Sequence, residues 1–318
     1  MKKLFAVVAI VAVALTSCVK NEVITPDGEI TFKAVNYKNT KAYVHGTIED
    51  VIYPNAESFG VFAYPSNNIT EDYMENVEIS KQGSVWKNDA RNYYWPKDGV
   101  SLTFAAYSPY HFEGAGVVTA TAAQGIKIAG YTTNNDLTKQ VDLMVADVIR
   151  GKTSGPVAVP FKHTLSALKF KVAPKEAGYT IERITLNKVS FKVACTADYA
   201  STDGTFANSA WTNRSGEMVY SVINGEYVVD LNNTNMQSFG VPVIVIPQGA
   251  VDITVDYTID YGFGHVEVCN AVYHPNGATW NKNTIYTYNL TIGLDEILFE
   301  PTVEAWDYVN DLAWEANN

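Results

Sequence analysis

The chain has 318 residues, 47% of them hydrophobic, and a net charge of −11. That acidic balance argues against a nucleic-acid partner, which needs a basic footprint, and against docking by charge on an anionic membrane surface. The length suits two domains, and the aromatic share leans to tyrosine, with 20 residues, a type favoured in half-buried strands.

Lys2 and Lys3 precede an apolar run from Leu4 to Leu15, followed by Thr16-Ser17-Cys18. A charged start, an apolar stretch of about a dozen residues and small residues before a cut are the marks of a secretory signal. The run falls short of the about 20 apolar residues that a membrane helix needs. The Leu-Thr-Ser-Cys ending resembles the lipobox of bacterial lipoproteins. That resemblance implies loss of residues 1–17, lipidation at Cys18 and anchoring by buried acyl chains, at about 0.8 kcal/mol per CH₂. An ordinary secretion signal with an incidental Cys is the other reading. Residues 18–28 are expected to be a linker.

Beyond the leader, period-2 alternation dominates. Ile30, Phe32 and Ala34 alternate with Thr31 and Lys33, which predicts a first strand over Glu29 to Val35. Phe59 to Tyr64 predicts a second, stopped by Pro65 and Asn67-Asn68. The aromatic stretch Trp86 to Trp95 closes on the turn signal Pro96-Lys97-Asp98-Gly99. Leu102, Phe104 and Ala106 continue as a strand until Pro109, and Val141 to Val148 is another. The stretch Gly151 to Pro156 interrupts the pattern and marks a domain boundary, dividing 29–155 from 156–318. After it, Phe170 and Val172, then Val189, Phe191 and Val193, alternate with polar residues. Tyr220 to Val222 and Glu226 to Leu231 flank Asn224-Gly225, a strong hairpin signal. Val241 to Ile246 is apolar on both faces and predicts a central strand. Val251, Ile253, Val255, Tyr257 and Ile259 predict an inward face opposite Asp252, Asp256 and Asp260. Many short strands with few helices indicate an all-β chain of two tandem β-sandwich domains.

No constellation carries an enzyme's chemistry. His45, His111, His163, His265 and His274 form no His-x-His or His-Glu-x-x-His pair, so zinc gains no support. No Gly-x-Ser-x-Gly elbow and no phosphate-cradling glycine loop is present. Asp252, Asp256 and Asp260 stand about 13 Å apart along a strand, too far to share one calcium ion. Neither a metal, a cofactor nor a catalytic residue is expected. Cys195 and Cys269 are candidates for a disulfide in an exported chain. Alternation speaks against the pairing, since Cys195 shares an apolar face with Phe191 and Val193 while Cys269 sits with His265 and Glu267. The six tryptophans are scattered, so most are assigned to packing; a glycan-binding surface remains the rival reading.

Several segments together resemble one family. Trp86, Tyr93-Tyr94-Trp95-Pro96 and Leu102-Thr103-Phe104-Ala105-Ala106-Tyr107-Ser108-Pro109 are similar to the N-terminal domain of fimbrillin-like lipoproteins of Bacteroides-type bacteria. Asp142-Leu143-Met144 and Val159 to Phe170, with its Phe-x-His-x-Leu-Ser-Ala-Leu core, resemble the entry into that family's second domain. Tyr286-Thr287-Tyr288-Asn289-Leu290 and Val303-Glu304-Ala305-Trp306 resemble its C-terminal end.

The resemblance implies two β-sandwiches of transthyretin-like (Greek-key) topology in a surface lipoprotein of the outer membrane. It implies a structural subunit, or an accessory or anchor component, of adhesive fimbriae, whose partners are other fimbrial subunits and a host protein or glycan. The alternative is a non-polymerising surface lipoprotein that binds glycans or host ligands. In polymerising members a protease removes the first strand, and a strand of another subunit fills the groove. Here Ile30, Phe32 and Ala34 would mark the displaced strand. Ile297, Phe299, Val303, Ala305 and Trp306 would mark the donor, with Pro301 suiting an edge or bulge. The chain departs from the arginine-matured members, because no Arg precedes Arg91. Lys41, in Asn39-Thr40-Lys41-Ala42, is the basic residue at the matching place. The segment Val19-Lys20-Asn21-Glu22 holds one acid, a weak form of an acidic surface-export signal.

Overall fold

The computed structural model describes residues 28–35, 47–48, 51–52 and 58–306, apart from 84, 113, 115, 179 and 224. Among these, all regular structure is β except one 3-10 turn at Leu137–Lys139, capped by the Asp136 carboxylate.

Seven strands in the first half close on themselves. Their order is Val157–His163, Phe32–Val35, Val85–Lys87, Met74–Gln82, Ser58–Pro65, Leu102–Ser108 and Met144–Ala146, the last pairing back to the first. Ile149–Lys152 runs along Leu102–Ser108. Closure removes the free edges that an open sheet would carry. Ser58–Pro65 is buried on both faces. Its odd residues Phe59, Val61 and Ala63 enter the ring's core, and its even residues Phe62 and Tyr64 enter a second core outside it. The expected first sandwich is therefore a closed ring. Met144–Ala146 makes the difference, because all three residues are buried and Met144 and Val145 have a strand partner on each side.

In the second half two sheets pack face to face. One holds Gln237–Ser238, Ser166–Pro174, Thr284–Ile292 and Ile297–Ala305, with Val243–Val245 also beside Ser166–Pro174. The other holds Met218–Ser221, Arg183–Val193, Ile253–Gly262 and His265–Tyr273. Leu168, Phe170, Val172, Ile184, Leu186, Phe191, Val255, Ile259 and Leu290 fill the space between them. The two-faced run 243–246 divides in the same way as Ser58–Pro65. Val243 and Val245 face this core, while Ile244 and Ile246 face the second one.

That second core lies between ring and facing sheets. A four-stranded sheet covers it, in the order Ser209–Ser215, Thr196–Ser201, Gly125–Thr132 and Val117–Thr121. It packs Ile128, Tyr131, Tyr199 and Trp211 against Phe62, Tyr64, Leu143 and Ala167. The expected boundary at 155/156 falls between two strands of the ring sheet; the chain passes to the facing sheets later, between His163 and Ser166. The expected hairpin at Asn224-Gly225 is different. Met218–Ser221 and Tyr227–Val228 pair one after the other along the same edge of Arg183–Val193. Its 11 residues are long enough to take both segments.

Candidate functional site

The opening strand Phe32–Val35 is an interior member of the ring. It runs parallel to Val157–His163, from Phe32 opposite Val157 to Val35 opposite Pro160, and meets Trp86 on its other side. The residues before it are held too. Ile30 N–H donates to the Tyr93 carbonyl at 2.7 Å, Trp95 N–H to Gly28 at 2.7 Å, and Val157 N–H to Thr31 at 2.8 Å. One backbone margin is paired along Phe32–Val35, and the other is held from Gly28 to Phe32. Ile30 and Phe32 are 2% and 3% exposed. The Phe32 ring stands edge-on to Phe59 at 5.9 Å and to Phe104 at 5.8 Å. The buried Glu29 carboxylate accepts from Lys87 Nζ at 3.1 Å. Ala34 pairs with Val159 through its backbone; its side chain lies outside the described atoms. Taking this strand away would leave a slot lined by Phe59, Trp86, Phe104 and Val157, with an open ladder on each side.

The closing strand Ile297–Ala305 is placed in the opposite manner. It pairs antiparallel with Thr284–Ile292 over its whole length, and among the described residues no strand lies along its other side. Alternation puts 297, 299, 301, 303 and 305 on one face. Only the first half of that face is covered. Ile297 and Phe299 pack on the core, Phe299 with its ring 5.3 Å from Tyr273, while Val303 is 62% exposed and Ala305 is exposed. Pro301 sits opposite Tyr288. Trp306 is not part of the exposed face. It is 2% exposed in the second core, and its ring lies parallel to His163 at 4.2 Å. His163 Nδ1 is 2.8 Å from a carboxylate oxygen of the buried Asp142. The Trp306 backbone N–H donates to the Asn283 carbonyl at 3.0 Å. This cluster joins three pieces read separately in the sequence: Asp142, the Phe-x-His block and the C-terminal Trp. Sequence reasoning missed it because nothing local pairs residue 163 with residue 306.

The other expected residues are placed as follows. Cys18 and Lys41 lie outside the described residues. Cys195 and Cys269 are both free, one buried and one half-buried. The Cys269 thiol is pushed up, first by burial, with Tyr257 beside it acting the other way. Asp252, just before the strand Ile253–Gly262, pairs with His274 at 3.0 Å, while within the strand Asp256 accepts from Asn270 at 2.6 Å and Asp260 accepts from Gly262 N–H at 2.9 Å. Trp86, Trp211, Trp280 and Trp306 are buried, in line with a packing role.

The sequence pattern of the fimbrillin-like family matches residues 26–306. The chain belongs to the fimbrillin-like family. A relative of this fimbrillin-like chain, fimbrium subunit Fim1C of Phocaeicola vulgatus, is 24% identical over 269 residues, covering 75% of this chain and 69% of the relative. A solved fimbrial protein from Bacteroides vulgatus is 18% identical with a TM-score of 0.51, covering 78% of this chain and 92% of that one. A solved candidate cell adhesion protein from Bacteroides uniformis is 17% identical with a TM-score of 0.54, covering 88% and 97%. At these identities the structural likeness speaks for the fold.

Proposed function

We propose that this fimbrillin-like protein is a structural subunit of adhesive cell-surface fimbriae, joined to its neighbours by β-strand addition. The observation that carries the reading is the unequal placement of its two terminal strands. The opening strand fills a slot between two neighbours, and the closing strand has one neighbour and a half-bare apolar face. Loss of the first creates an acceptor of the kind that a partner's strand completes. Refilling the Ile30 and Phe32 sites is worth about 1.5–3 kcal/mol each, and each restored backbone bond about 0.5–1.5 kcal/mol.

In this reading Cys18 carries the lipid that holds the precursor on the outer membrane, and cleavage after Lys41 releases residues 28–35 together with the linker. Left uncut, the same chain serves as an accessory or anchor subunit. The partners are copies of this chain or related subunits. N-terminal sequencing of surface-extracted protein tests this. A start near Ala42 in fibres and at Cys18 in the anchored form is expected. Protein trimmed after Lys41 should form SDS-resistant ladders, and protein ending before Ile297 should not. Monomers in both cases would overturn the shaft reading.

A further inference from the structure

On the flank of the ring lies a cleft of about 490 Å³ to which, among the described residues, neither terminal strand contributes a lining residue. Its back wall is Tyr107, near the end of Leu102–Ser108. Tyr107 stands opposite Gly60 in the ladder. A Cβ on Gly60 would lie 2.2 Å from Tyr107 Cε1, so glycine there lets the ring lie across the strand. The chain turns at Pro109 and brings Tyr110 and Phe112 to the rim. Tyr110 and Tyr107 are inclined by 32° with centroids 6.4 Å apart, and Phe112 stands at 83° to Tyr107 at 6.2 Å. The result is a half-buried rim of Tyr110 and Phe112 backed by the buried Tyr107 ring. Gly116 forms the floor, pressed on the neighbouring strand so closely that a Cβ would meet the Ala129 carbonyl at 2.1 Å.

The polar lining is specific. Asn76 has a left-handed backbone, φ 43, on the strand Met74–Gln82 beside a register shift. Its carbonyl oxygen accepts from Tyr107 O–H at 2.9 Å. That bond fixes the amide plane, and among the described residues the amide nitrogen makes no hydrogen bond. His111 lies against Tyr110 at 4.5 Å, with Nε2 3.6 Å from the Glu78 carboxylate. Among the described residues no lysine or arginine lines the cleft. An anionic ligand would meet a nearby carboxylate and an acidic protein. A pure hydrocarbon would leave the Asn76 donor unpaired. A neutral ring with one apolar face and hydroxyls at its rim satisfies both walls.

We propose that this cleft binds a terminal neutral hexopyranose of a glycan, its C–H face on Tyr110 and Phe112 and a hydroxyl accepting from the Asn76 amide. The site does not depend on strand addition, since a subunit that never polymerises would carry it unchanged. The test is saturation-transfer NMR and calorimetry on the chain from Val19 to Asn318, which lacks the leader and the lipidated Cys18, with methyl glucoside, galactoside, mannoside and N-acetylglucosaminide as probes and sialyllactose as the anionic comparator. Millimolar binding of at least one neutral hexoside is expected, without comparable affinity for the sialic acid end. Tyr110→Ala should weaken it about tenfold or more. So should Asn76→Asp, which keeps the acceptor for Tyr107 and tolerates the left-handed backbone but loses the donor. If Tyr110→Ala unfolds the rim, Phe112→Leu, which keeps the bulk and removes the aromatic face, serves in its place, and binding unchanged by it and by Asn76→Asp overturns the proposal as well. No binding to any neutral hexoside, or binding that survives both Tyr110→Ala and Asn76→Asp, would overturn the proposal. Ladder formation by the same variants should be unaltered, which separates this result from the assembly reading.

Discussion

Phe32→Ala is the sharpest probe of the slot. The ring is 3% exposed and touches Phe59 and Phe104 edge-on. Truncating a buried Phe costs about 3–5 kcal/mol, the higher figure where the surroundings cannot collapse. Here the neighbouring ladders are held apart by the strand's own bonds, including Val157 N–H to Thr31, so the upper half is expected. Urea unfolding followed by tryptophan fluorescence reports it, because Trp86 lies in the same core. Lys33→Ala, on the exposed side of the same strand, should stay within about 0.5 kcal/mol. The same contact should govern complementation. A peptide of residues 28–35 should bind protein trimmed after Lys41, and its Phe32→Ala version should bind at least about a hundredfold more weakly. A loss under about 1 kcal/mol, or equal binding by the two peptides, would refute the view that this residue closes the slot.

Val303→Asp should leave the melting temperature of the monomer within a degree or two, because the side chain is 62% exposed, yet abolish ladder formation if that face enters a partner. The Asp203 carboxylate is held down to about 2, first by the Asn208 side chain, then by the Thr205 N–H and hydroxyl. Its help to the Ser201–Asn208 loop is therefore complete above the ordinary carboxylate value of about 3.9 and fades as pH falls through about 2. A carboxyl NMR titration should show that midpoint, and in Asp203→Asn the loop amides should lose this acid dependence. Alkylation with iodoacetamide at pH 8 should modify Cys269 slowly and Cys195 only after unfolding, and reduction should not shift the mass.

Alternation made much of the fold legible. Val251 to Ile259 and Val189 to Val193 face the core as their pattern predicts, because a strand with one wet face has no other way to hide its apolar residues. The doubly apolar run at 241–246 was equally plain, though not that its two faces serve two different cores. Ring closure was not legible. It depends on Met144–Ala146 meeting Leu102–Ser108 and Val157–His163 at once, a long-range choice that three apolar residues cannot encode locally. Asn224-Gly225 misled for a related reason, since a turn signal states that the chain bends and not which strand its flanks will join. At the candidate site, Ile30 and Phe32 were readable from period and size. The fastening of Trp306 by His163 and the orientation of Asn76 by Tyr107 were not, because each is a contact between residues far apart in the chain.

Trp306 decides how the closing strand can act. A donor that leaves its own sheet must break the ladder to Thr284–Ile292 and lift the Trp306 ring off His163. The second step alone costs about 3–5 kcal/mol for a buried Trp, so the stack is a brake on exchange. Trp306→Ala should then speed assembly of the trimmed protein, by about a hundredfold if 3 kcal/mol of the opening cost is removed. Trp211→Ala is the control. Trp211 lies in the same core and its indole N–H donates to the Thr164 carbonyl at 2.6 Å, but its strand Ser209–Ser215 belongs to the four-stranded sheet and not to that of the closing strand. Equal acceleration by both variants would mean that general loosening, and not release of this strand, limits the rate. Slower or unchanged assembly of Trp306→Ala alone would mean that the strand never leaves, and that partners add to its free edge in place.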